Sequence, residues 1–173
     1  LAGGAVMTRQ QRGFTLMEVS LVVGLITTIA YLSYGSLREV RRGFMIDSAA
    51  REFTATLSIA RSEAIRNGNP VIVAFGSRHM TPFFDLDGND SFSEGTDRRL
   101  RPAPEMPLFL KLEALEGENI VRFNSQGYSV DKFGRPIEVN VAVYDDSPRY
   151  RSMKRHKVDV LVSGAIRVVA LPD

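Results

Sequence analysis

The sequence predicts an α+β protein in which one long N-terminal helix precedes a domain of antiparallel β-strands. No proline interrupts Phe14 to Asn69, and Gly68-Asn69-Pro70 then supplies a stop: glycine for a left-handed cap, proline to prevent continuation. Beyond this stop come short β-branched runs divided by turn residues, which is strand grammar. The chain has 173 residues, 44% hydrophobic and 24% charged, enough for one modest folded domain plus an anchor.

Residues 1–13 form a short basic leader with Arg9 and Arg12, which places the N-terminus on the cytoplasmic side by the positive-inside rule. Met7 to Gly13 alone would make such a leader, so translation is expected to start at Leu1 (a non-ATG start) or at Met7. Val19 to Leu37 then gives 19 consecutive residues without a charge, most of them apolar. At about 1.5 Å per residue this crosses a hydrocarbon core of roughly 30 Å, so 14–37 is expected to be transmembrane. Glu18 stands near the head of this run. A carboxylate buried in lipid costs on the order of a few kcal/mol, so Glu18 either reaches the interface or has a partner. An ordinary secretory signal, cut near Ser33-Tyr34-Gly35, is a competing reading. Glu18 at the head of the apolar region counts against it, as does a helical pattern that continues past any such cut.

The second half of the helix is amphipathic. Ile46, Ala50, Phe53, Leu57, Ala60 and Ala64 recur at spacings of four and three on one face, while Arg51, Glu52, Arg61, Glu63 and Arg66 fall mostly on the others. The stripe is expected to pack on the protein's own sheet, with a coiled coil to another protein as the alternative. Gly24, Gly35 and Gly43 each weaken the helix by about 1 kcal/mol relative to alanine, and Gly35 is a candidate soft point or close-packing site. Residues 69–173 then form the β-rich globular domain. Strands are expected at 71–75, 108–112, 120–123, 137–144, 158–162 and 166–169, with a turn at Asn124-Ser125-Gln126-Gly127 and a closing hairpin through Ser163-Gly164. They should form an antiparallel sheet around or against the amphipathic helix. There is no cysteine, so no disulfide can staple this domain.

The junction Arg12-Gly13-Phe14-Thr15-Leu16-Met17-Glu18 resembles the class III signal of type IV pilins and type II secretion pseudopilins. Phe-Asn-Ser-Gln-Gly (123–127) and the terminal Ser-Gly-x-x-Arg-Val (163–168) resemble the H-type pseudopilins of type II secretion and the related minor pilins of type IV pili. The resemblance implies a pilin-like fold and cleavage by a prepilin peptidase between Gly13 and Phe14, with N-methylation of Phe14. It also implies a single-pass inner-membrane precursor with a periplasmic C-terminal domain, later drawn into a fibre through an inner-membrane assembly platform. Glu18 would pair with the new ammonium of a neighbouring subunit. The chain would be a scarce subunit that helps to initiate or cap the fibre. A DNA-binding minor pilin for DNA uptake, or a membrane-anchored periplasmic binding domain unrelated to fibres, remain as alternatives.

Two further clusters are candidates for chemistry. Asp85, Asp87 and Asn89 have the one, three, five spacing of Ca²⁺ ligands, with Glu94 or Asp97 able to complete the set. Asp90 stands where that loop needs glycine, so an Asx- and Gly-rich turn is the plainer reading. The run from Arg149 to Lys157 holds Arg149, Arg151, Lys154 and Arg155, a candidate contact to DNA phosphates with a solvated loop as the default; the resemblance to DNA-binding minor pilins, which carry arginines near the terminal hairpin, implies Arg167 as a further contact. Net charge is only +2, with pI about 9.1, so nucleic-acid binding would have to come from such a local patch. Without cysteine, and with only His79 and His156, thiol catalysis is excluded. No phosphate-cradling glycine loop or nucleophile elbow occurs, so no enzymatic activity is expected.

Overall fold

The computed structural model describes residues 14–76, 79–102, 106–148 and 155–171, the side chains of 33, 35–37, 155 and 171 excepted. Helix α1 runs Leu16–Asn67 and is followed by nine strands: β1 Val71–Phe75, β2 Met80–Phe84, β3 Arg98–Arg99, β4 Leu110–Ala114, β5 Ile120–Phe123, β6 Ser129–Val130, β7 Val139–Asp145, β8 Arg155–Val160 and β9 Ile166–Leu171. The helix ends as its stop signal requires, with Gly68 at φ +67° and the Asn67 amide folded back onto the Glu63 carbonyl at 2.9 Å.

The chain divides into two compact units, 1–41 and 42–173. In the first, the described side chains of the helix are exposed. Three of its hydroxyls are satisfied within the helix: Ser20 donates to the Leu16 carbonyl at 2.8 Å, Thr27 to Val23 at 2.9 Å and Thr28 to Gly24 at 2.8 Å. Among the described residues no helix is long and apolar enough to cross a membrane. The expected span at 14–37 therefore rests on the sequence run and returns below as a proposal.

The second unit begins at Arg42, not at residue 69, because the amphipathic half of α1 is part of the folded domain. Ile46, Ala50, Phe53, Leu57, Ala60 and Ala64 are all buried. Four of the buried positions on this face, Ala49, Ala50, Ala60 and Ala64, are alanines, which lets the strands approach the helix closely. Phe53 meets Phe75 of β1 edge to face at 5.2 Å.

The strands make two sheets where the sequence suggested one. Their orders are β3-β2-β1-β5-β6 and β4-β7-β8-β9, and every paired strand is antiparallel. Both sheets send apolar side chains into the same core, Val73 and Val121 from the first, Leu112 and Val141 from the second. A backbone bond joins them, from the Ser129 N–H of β6 to the Val162 carbonyl after β8, at 3.1 Å. Strand β2 was not expected, because Pro82 sits at its centre. In the register Val73↔Pro82, the proline turns its carbonyl to Leu100, which donates to it at 3.0 Å. Its missing N–H therefore falls on the side where the sheet has only the two-residue β3.

Tyr144 of β7 donates to Glu113 of β4 at 2.5 Å, and Lys111 lies 3.3 Å from the same carboxylate. The bond to Tyr144, then that to Glu113, raises the Lys111 pKa; burial, then Glu113, raises that of Tyr144. Both folded values exceed the unfolded ones, so this stabilisation is complete below about pH 10 and is lost as the pH rises through the folded values. Between about pH 9.5 and 11 the urea midpoint of the native protein should fall more steeply than that of Tyr144→Phe. Parallel curves would show that the trio does not couple to folding.

Candidate assembly site

The N-terminal end of α1 is closed by a capping box. Thr15-Leu16-Met17-Glu18 has the T-x-x-E spacing, with Thr15 preceding the first helical residue. The Glu18 N–H donates to Thr15 Oγ1 at 3.2 Å, and Glu18 Oε2 accepts from the Thr15 N–H at 3.0 Å and from its hydroxyl at 3.2 Å. The Glu18 carboxylate is thus exposed, aligned with the positive end of the helix and held by its own chain. Thr15 was missed as a functional residue, although its spacing from Glu18 was legible. Phe14, beside it, is 87% exposed. Gly13 lies outside the described residues.

In the second unit the two sequence signatures meet. The Asn124–Gly127 turn is tied by the Asn124 side chain, which accepts from the N–H groups of Gln126 at 3.0 Å and Tyr128 at 2.9 Å. Gly127 (φ +80°) and Gly164 (φ +75°) bring their turns together so closely that a Cβ on Gly164 would lie 1.9 Å from the Gly127 carbonyl oxygen. Arg61 of α1 grips both turns. Its Nε donates to the Gly127 carbonyl at 3.1 Å and its Nη2 to the Ser163 carbonyl at 2.9 Å. Arg61, expected only to lie off the apolar stripe, uses its planar fork on backbone oxygens of these two turns.

At the start of the same unit Arg42 donates to Asp145 at 2.8 Å and to Ser147 Oγ at 3.0 Å, and it stacks on Phe109 at 4.7 Å. The Asp145 side chain has 0% exposure. Neither Arg42 nor Asp145 stood out in the sequence, where an arginine at a helix surface is ordinary.

The acidic loop is braced by its own side chains. Asp85 accepts from the N–H groups of Gly88 at 2.8 Å and Asp90 at 3.2 Å; Asp97 accepts from Leu86 at 2.9 Å and Ser93 at 2.7 Å. Carboxylate oxygens of Asp85, Asp87 and Asp97 lie within 4.8 Å of one another. Asn89 instead donates its amide to Asp87 at 2.8 Å, and Glu94 is not in the group. A calcium ion here would take the three aspartates rather than the expected set. Burial, with help from the Asp87 carboxyl, raises the Asp85 pKa against the opposing backbone donors Asp90, Gly88 and Asn89.

Of the candidate DNA contacts, Arg149, Arg151 and Lys154 lie outside the described residues. Arg155 starts β8 instead of lying in a loop, because the strand extends back through His156 and Lys157, where His156 Nε2 meets Asp47 of α1 at 2.5 Å. Arg167 is exposed on β9 and pairs in register with Asp159.

A long N-terminal helix with an apolar, exposed first half, and a second half packed against antiparallel sheets, defines the pilin-like class. The chain belongs to the family described as Type II transport protein GspH, which matches residues 49–164. It is 37% identical over 79 residues to the Type II secretion system protein H of Escherichia coli K12; the match covers 42% of this chain and 46% of that protein, so the chain spans about half the length of this curated relative. Its fold is similar to the type IV minor pilin FimU of Pseudomonas aeruginosa PAO1 (TM-score 0.58, 18% identity, 72% of this chain and 87% of that one). It is also similar to the minor pseudopilin EpsH from the type 2 secretion system of Vibrio cholerae (TM-score 0.52, 16% identity, 72% and 95%). At these identities the two structures speak for the fold.

Proposed function

We propose that this chain is a minor subunit of a type II secretion pseudopilus that helps to initiate or cap the fibre. The observation that carries this reading is the bare apolar surface of the first helical half. Leu21 is 67% exposed, Val22 50%, Val23 54% and Leu25 60%, side chains that leave the helix on all its sides, while the hydroxyls of Ser20, Thr27 and Thr28 bond to its own carbonyls. A helix that is apolar all round needs lipid or other helices as its surroundings. Membership of the GspH family favours a secretion pseudopilus over a retractile pilus.

In this reading residues 14–37 cross the inner membrane once, with the N-terminus cytoplasmic and the β-domain periplasmic. The prepilin peptidase cuts between Gly13 and Phe14 and methylates Phe14, and the assembly platform moves the subunit into a fibre of sibling subunits. The Phe14 ammonium so created meets Glu18 of the neighbouring protomer. In a low-dielectric bundle this pairing is worth more than the Thr15 contacts it displaces.

Mass spectrometry of the mature protein tests the processing: N-methylphenylalanine is the expected first residue, and a chain that retains Arg12 or begins near Gly35 overturns it. Glu18→Ala should lower incorporation into fibres at least about tenfold, the effect of losing some 1.4 kcal/mol of pairing, at an unchanged cellular level. Normal incorporation would remove the role given to Glu18.

A further inference from the structure

We propose that the groove between the β4–β5 loop and the β6–β7 segment is a docking site for a partner segment bearing a lysine or arginine. The groove, of about 210 Å³, is floored by Ile120, Ile137 and Val139 and edged by Glu116, Glu118 and Glu138. The Leu115 N–H donates to the Asn140 carbonyl at 2.8 Å, continuing the β4–β7 register past Ala114↔Val141, so Glu116 and Glu138 leave the sheet at the same end.

The charges at this site do not cancel. Arg122, the cation in the wall, is already met by Asp90 at 2.6 Å and Glu118 at 2.8 Å. Lys132 and Arg135 lie against the Phe133 ring, each at 5.1 Å, and Arg135 is also held by Asp131 at 2.9 Å. Among the described residues neither Glu116 nor Glu138 has an ion pair or a side-chain hydrogen bond. Two unmatched carboxylates therefore stand over an aliphatic floor. A lysine or arginine fits both: its methylene stem lies on Ile120, Ile137 and Val139, and its head is hydrogen-bonded between the glutamates. A purely apolar segment would desolvate the carboxylates without compensation, and an acidic one would be repelled. Phe133, 71% exposed at the lip, adds apolar contact area for the same segment.

The test does not depend on fibre formation. The ¹⁵N-labelled full chain in non-ionic detergent micelles is titrated with the capped peptide Ala-Leu-Lys-Val-Arg-Ala at low ionic strength. Amide shifts are expected at 116–122, 132–135 and 137–139, absent when the basic residues of the peptide are replaced by glutamate. The E116Q/E138Q variant, whose unperturbed spectrum elsewhere reports an intact fold, should bind at least about tenfold more weakly. No shifts, shifts spread equally to the acidic 85–97 loop, or equal affinity for E116Q/E138Q would each overturn the proposal.

Discussion

Alanine at Gly164 is expected to lower the unfolding free energy by roughly 3–5 kcal/mol, the upper range for a single substitution. A Cβ there would stand 1.9 Å from the Gly127 carbonyl oxygen and 2.6 Å from Arg61 Nε. The first of these is backbone of a turn held by Asn124 and cannot swing aside as a side-chain tip would. The left-handed φ of +75° adds a further penalty of about 1–2 kcal/mol for any residue with a Cβ. Relief of the clash must separate the two turns and so pull Arg61 off both carbonyls. Urea unfolding of the full chain in detergent, followed by far-ultraviolet circular dichroism, measures the loss. Gly134→Ala is the control: its φ is +78° but nothing lies within 4 Å of its Cβ position, so only the backbone penalty applies. Equal losses for the two variants would show that the close approach at Gly164 contributes nothing.

The second large effect is expected from Arg42→Met, also roughly 3–5 kcal/mol, because it leaves the Asp145 carboxylate buried without its cation. The bonds that Ser147 gives to Asp145 survive but carry no charge. Arg42→Met combined with Asp145→Asn should recover much of the loss, since an apolar–amide pair leaves no uncompensated ion. A loss below about 1 kcal/mol in the single variant would mean that Asp145 finds other solvation and that the pair does not anchor the helix.

The class of the fold was legible because it depends on local signals. The three-and-four spacing from Ile46 to Ala64 reports one buried face, and Gly68-Asn69-Pro70 reports where the helix ends. Strand pairing depends on distant partners, so the division into two sheets was not legible: β1 pairs with β5 in the register Val73↔Val121, and nothing near either run announces it. Pro82 concealed β2, and β3 and β6 are too short to carry a period. The partners of Arg42 and Arg61 are hidden in the same way, because they lie far along the chain. A helical period says which direction a side chain leaves the helix, but not whether a loop folds over it. At the N-terminus Glu18 stands out as a lone acid in an apolar run, while its local partner Thr15 is an uncharged residue whose capping role shows only in the T-x-x-E spacing.

The two bonds of Arg61 reach carbonyls 66 and 102 residues further along the chain. In the order of synthesis, then, the helix exists before its base is finished, and the seal forms only after the final hairpin has been made. Closing such long loops is slow relative to helix formation. A chain halted before its last two strands would present an open helix face to proteases.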